Sequence, residues 1–130
     1  MDQSVEKAAR GILRQLQGSE PSIQALAWVD RAGQVVTALF ENGNQDRVGA
    51  MSASLLALSA AASREVALGP LNQVILNGAH GTLLLTGAGK DHVLLIAADT
   101  RVNLGRLLLH AQAMSTRLAA LGTAQEAALI

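Results

Sequence analysis

Between Val48 and Ser63 the chain runs for sixteen residues, VGAMSASLLALSAAAS, without a single charge. Placed on a helix at 100° per residue, Val48, Met51, Leu55, Leu58, Ala62 and Val66 form one bulky stripe. Ala50, Ala53, Ala57, Ala60 and Ala61 form a broad small-residue stripe roughly opposite. A helix that is apolar on two faces has to be buried on two faces. The bulky stripe is expected on the chain's own sheet, and the alanine stripe against a second helix at close approach. The segment is too short and too rich in serine for a membrane span. Composition supports the same expectation. Half of the 130 residues are hydrophobic and 15% are charged, with 24 Ala, 22 Leu and only Trp28 and Phe40 as aromatics. That is more apolar sequence than one small monomer usually hides, so part of it is expected to face another subunit.

Several function classes are excluded by what the chain lacks. Ten Lys and Arg balance ten Asp and Glu, and the basic residues are scattered. Nucleic-acid binding draws on concentrated positive charge and, for single strands, on stacking aromatics, so no nucleic-acid partner is expected. The absence of cysteine removes disulfides, thiolate zinc sites and cysteine nucleophiles, and fits a cytoplasmic location. The N-terminal MDQSVEKAARGIL has no apolar core of a secretory signal.

Hydrophobic spacing predicts the element order. Val5, Ala8, Ala9, Ile12, Leu13 and Leu16 recur every three or four residues over 2–17, a helix stopped near Gly18 and Pro21. SIQALAWVD (22–30) is apolar on both faces and reads as a central strand. The turn Asp30-Arg31-Ala32-Gly33 returns it into QVVTALF (34–40), and Asp46 is placed to cap the uncharged helix. After Gly69-Pro70, the stretches LNQVILN (71–77), GTLLLT (81–86) and HVLLIAA (92–98) alternate with glycine-rich turns and read as an antiparallel meander. A last helix starts near Asn103 and carries Leu104, Leu107, Leu108, Ala111, Met114, Leu118 and Leu121 before Gly122. Strand-helix alternation is missing, so the reading is a single α+β domain over 1–130, not a doubly wound fold. Its core covers about 4–121, and 122–130 form a tail that extends the helix or frays.

Candidate chemistry fails on spacing. Gly87-Ala88-Gly89-Lys90 is not a phosphate loop, because Leu84 occupies the position of the first glycine and Asp91 that of the magnesium-binding hydroxyl. His80, His92 and His110 do not pair at ligand spacing. Ser52, Ser54, Ser59 and Ser63 sit on an apolar helix with no nucleophile elbow and are better explained as small hydroxyls that bond back to the i−4 carbonyl and permit close packing. No catalytic, cofactor or metal site is expected.

Two features point to partners instead. One is the alanine stripe. The other is the strand 71–77, at one end of the meander, whose Leu71, Gln73, Val74, Ile75 and Asn77 include no charge to block edge pairing. Two copies adding these strands edge to edge would make one sheet, with the uncharged helices meeting across the two-fold axis.

The chain resembles the roadblock/LC7 family over about residues 4–121. The resembling stretches are ALAWVDRAGQVV (25–36), RVGAMSASLLALSAAA (47–62), LGPLNQVIL (68–76) and LLIAADTRVNLGRLLLHA (94–111), with Asp30, Gly33, Gly69 and Gly105. The resemblance implies a five-stranded antiparallel sheet, with the first and third helices on one face and the second on the other. It also implies dimers built through the second helix and third strand. Family members are non-catalytic: bacterial and archaeal ones are similar to regulators of small Ras-like GTPases, and eukaryotic ones are dynein light chains or scaffold subunits. A homodimeric regulator of such a GTPase is therefore expected, with an adaptor subunit as the alternative and a small-molecule sensor least favoured. Arg31, Arg47, Arg64 and Arg101, near element ends, are candidate partner contacts.

Overall fold

The computed structural model describes residues 2–40 and 43–128. Three helices and five strands follow in the order α1 (Gln3–Ser19), β1 (Ile23–Asp30), β2 (Val35–Leu39), α2 (Gln45–Glu65), β3 (Gln73–Gly78), β4 (Gly81–Gly87), β5 (His92–Asp99) and α3 (Leu104–Ala128). The strands form one antiparallel sheet in the order β2-β1-β5-β4-β3. This is the expected α+β domain. β1 is an inner strand, paired with β2 on one side and β5 on the other, β5 is the middle strand, and β2 and β3 are the edges.

Alternation along the strands builds two cores. Leu26 and Trp28 of β1, Leu84 of β4, and Leu94 and Ile96 of β5 face α1 and α3, meeting Leu13, Leu16, Leu107 and Leu118. Ala27, Val29, Leu85, Val93 and Leu95 point the other way, under Val48, Leu55 and Leu56 of α2. Trp28 is fully buried and its indole N–H donates to the Ala88 carbonyl at 2.9 Å, so burial of the ring leaves no donor unpaired.

Helix ends differ in part from expectation. α1 is capped by Asp2, whose carboxylate accepts from the Ser4 amide at 2.8 Å. α2 is capped by Asn44, accepting from the Arg47 amide at 3.1 Å, and not by Asp46, which lies in the first turn where a negative charge favours the helix dipole. α3 continues past Gly122 to Ala128, which is the helix-extending alternative for the tail, since a glycine inside a helix costs only about 1 kcal/mol. At the far end of α2, the Ala67 amide donates to Arg64 and the Leu68 amide to Ser63, closing a Schellman turn with Ala67 at φ 56°. A left-handed alanine is strained by roughly 1 kcal/mol. Ala67→Gly should therefore raise stability by about 0.5–1 kcal/mol; chemical denaturation checks it, and a loss of stability would refute the strain.

α3 is clamped to the start of β1 by Glu20, which is fully buried. Arg106 donates to it through Nε at 2.6 Å and Nη2 at 3.2 Å, and His110 Nε2 lies at 3.6 Å. Beside it, Asp99 accepts from the Arg101 guanidinium and backbone amide. The Arg106 hydrogen bonds hold the Glu20 carboxyl below its usual range, and those from Arg101 hold Asp99 at about 2. In both cases the unfolded chain takes up a proton more readily than the folded one. Their contribution is present above the ordinary values of 4.5 for Glu20 and 3.8 for Asp99 and is lost as pH falls through the folded-state values. Glu20→Gln should cost about 1.5 kcal/mol at pH 7, and melting at pH 7 and pH 3 should show the deficit shrinking in acid.

Candidate functional interface

The outer face of α2 and the free edge of β3 form the candidate site. The helix is positioned by a backbone contact. The turn between β1 and β2 is held by Asp30, whose carboxylate accepts from the Ala32 amide at 3.0 Å and the Gln34 amide at 2.9 Å. It places Gly33, at φ 92°, against the first turns of α2. A side chain at Gly49 would begin 2.0 Å from the Gly33 carbonyl oxygen, so backbone meets backbone here.

That contact decides which side of α2 faces the sheet, and the result corrects the expectation. The buried line is Gly49, Ser52 and Ser63, with Val48, Leu55 and Leu56 half-buried beside it. The bulky stripe is split: Val48 and Leu55 face the sheet, whereas Met51, Leu58 and Val66 are exposed, Leu58 at 71%. Small groups at Gly49 and Ser52 let the helix sit close to the turn, which large ones would prevent. Ser52 Oγ donates to the Val48 carbonyl at 2.8 Å, the expected back-bond, but Ser63 Oγ donates to Gly69 in the loop that follows.

The alanine stripe lies mainly outward. Ala50, Ala57 and Ala61 are exposed and Ala53 and Ala60 half-buried. Together with Met51, Ser54 and Leu58 they make an uncharged surface bounded by Arg47 and Arg64. On β3, Gln73, Ile75, Leu76 and Asn77 are exposed, and Val74 is half-buried in the α2-side core. Leu71 lies before the strand, not in it. Met51, Leu58 and Leu76 are exposed apolar residues that sequence spacing did not single out for the interface.

The four arginines do not converge. Arg31 lies 3.8 Å from Asp91 at one end of the sheet, and Arg101 reaches Asp99 and the Pro21 carbonyl at the other. Arg47 and Arg64 are separated by about 25 Å of helix. Among the described residues no group of three or more His, Asp and Glu could hold a metal, and no helix is long and apolar enough to cross a membrane.

The Roadblock/LC7 domain model matches residues 11–98. The chain belongs to the Roadblock/LC7 family. Among solved structures, MglB with a tetrameric arrangement is 18% identical, with a TM-score of 0.86, covering 93% of this chain and 92% of that one. Myxococcus xanthus MglB is 18% identical with a TM-score of 0.85, covering 95% and 94%. At these identities the likeness speaks to the fold of this Roadblock/LC7 chain. The uncharacterized protein MJ0714 of Methanocaldococcus jannaschii is 34% identical over 64 residues, 49% of this chain and 53% of that protein. The chain thus spans about half the length of the curated relatives it matches.

Proposed function

We propose that this Roadblock/LC7 chain is a non-catalytic regulator or scaffold that pairs with a second copy and presents the joint surface to a small Ras-like GTPase. The observation that carries the reading is the uncharged outer face of α2 beside the bare edge of β3. Covering both together removes Met51, Leu58 and Leu76 from water and pairs the free backbone of the edge strand. The tetrameric arrangement of the similar MglB supports self-association. In this reading β3 of the two copies adds antiparallel across a two-fold axis normal to the sheet, bringing the α2 helices together on one face.

A partner of this kind acts by ordering or repositioning the switch segments of the GTPase. Arg47 and Arg64, which bound the α2 surface, are the contacts proposed at its rim, whereas Arg31 and Arg101, paired with Asp91 and Asp99 at opposite ends of the sheet, are proposed as outlying partner contacts. GTP hydrolysis and nucleotide release by Ras-like GTPases encoded beside this chain are the test. A change in either rate, abolished when the dimer is broken, is the expected result. Unchanged rates and no binding by any of them would overturn the GTPase reading and leave the adaptor role.

A further inference from the structure

All the charge on α2 sits at its ends. Asp46 and Arg47 lie in the first turn, Arg64 and Glu65 in the last, and the sixteen residues from 48 to 63 carry none. The four side chains are exposed, and among the described residues none of them makes an ion pair within the chain. Two of the four sit where a lone helix disfavours them. Asp46 and Arg64 suit the helix dipole, but Arg47 adds positive charge to the positive end and Glu65 negative charge to the negative end. The spacing is regular as well. Asp46 and Arg64 are eighteen residues apart, and so are Arg47 and Glu65. That is about five helical turns, so each pair of opposite charges occupies one angular position at the two ends of the helix.

We propose that these four charges form a self-recognition lock, in which Arg47 of each copy pairs with Glu65 of the other, and Asp46 of each with Arg64 of the other. The inference rests on the pairing proposed above and adds its register and its selectivity for a second copy of this chain. A two-fold axis normal to the sheet crosses α2, which lies on that sheet, so the two helices run in opposite directions. Residues on the same side of an antiparallel contact then meet across it, and each side carries one pair of opposite charges. With the axis between Leu55 and Leu56, all four charges find partners at once, Ala50 lies level with Ala61 of the second copy, and Ser54 with its Ala57. A slip of one turn carries each end out over the uncharged stretch, where there is no counter-charge. The dipole mismatch is relieved in the same arrangement, because the N-terminus of one helix lies beside the C-terminus of the other. Small residues along the contact let helix axes approach to about 8 Å, within reach of the arginine and glutamate side chains. Arg47 and Arg64 stay at the rim of the joint surface, each held by a carboxylate of the other copy.

The test uses the full chain at low salt. Sedimentation of the unmodified protein comes first, and a monomer there overturns the pairing and the lock with it. Arg47→Glu alone and Glu65→Arg alone each set like charge against like at both symmetry-related contacts and should weaken self-association about tenfold. Both substitutions suit the helix dipole, so the single chain keeps its fold, which circular dichroism checks. The deciding sample is an equal mixture of the two single variants. Neither matches itself and each matches the other, so native mass spectrometry should find the mixed dimer in excess over either self-pair. The double variant Arg47→Glu/Glu65→Arg should self-associate as tightly as the unmodified chain. Association untouched by either reversal, a mixture that pairs at random, or a double variant no tighter than the single ones would each overturn the lock while leaving the dimer in place.

Discussion

Replacing Gly49 with alanine should destabilise the protein by about 3 kcal/mol or more, toward the severe end for one added methyl group. The new Cβ would begin 2.0 Å from the Gly33 carbonyl oxygen and 3.2 Å from a Val35 methyl. Neither neighbour is the free end of a flexible side chain. The turn cannot retreat easily, because Asp30 holds it through two backbone amides and the β1–β2 pairing fixes its ends. α2 must then lift, uncovering Ala27, Val29 and Val93 beneath it. Thermal denaturation should show a fall of about 10 °C. An unchanged melting temperature would show that the helix has room to move.

Placing glutamate at Ala57 should do the reverse: leave the fold and dissolve the assembly. Ala57 is exposed on the single chain, and glutamate is a good helix former, so the monomer loses little. In the proposed dimer, two carboxylates related by the two-fold axis would be buried without cations, a cost of about 3 kcal/mol or more. That corresponds to at least a hundredfold weaker association. Light scattering should therefore report a folded monomer with near-normal melting of its α-helical signal. An unchanged oligomer would move the seam away from the outer face of α2. Ala53 is the poorer test, because it is half-buried in the single chain and its replacement would disturb fold and assembly together.

Element order, the first hairpin and the β3–β4–β5 meander were legible because each rests on local signals: a period of two between glycine turns, a period near 3.6 elsewhere; the pairing of β1 with β5, some seventy residues away, has no such signal. The two-sided apolar character of SIQALAWVD correctly marked the strand that β2 and β5 enclose. The orientation of α2 was not legible, and for a physical reason. Hydropathy is similar on both of its faces, so the deciding quantity is how closely backbone can approach, and that depends on Gly33 sixteen residues earlier. The line Gly49, Ser52, Ser63 does recur at helical spacing, and weighing side-chain size instead of hydropathy would have found it. The Glu20–Arg106 pair joins residues 86 apart with no periodic signal to connect them. Asn44 and Asp46 are both good capping residues, and two positions of register separate them.

The strand order also sets the sequence of events by which the chain reaches this structure. β1 with β2, and β3 through β5, are joined by short turns and can pair locally. The two blocks meet only where β1 lies against β5, bringing Leu26 opposite Ile96 and Trp28 opposite Leu94 across some seventy residues. Closing that seam is the long-range step on which the folding rate depends. On the ribosome, α1, the first hairpin and α2 emerge with the β5-facing edge of β1 unpaired until β5 has left the exit tunnel. An edge sealed inside the finished sheet is thus open to premature association during synthesis.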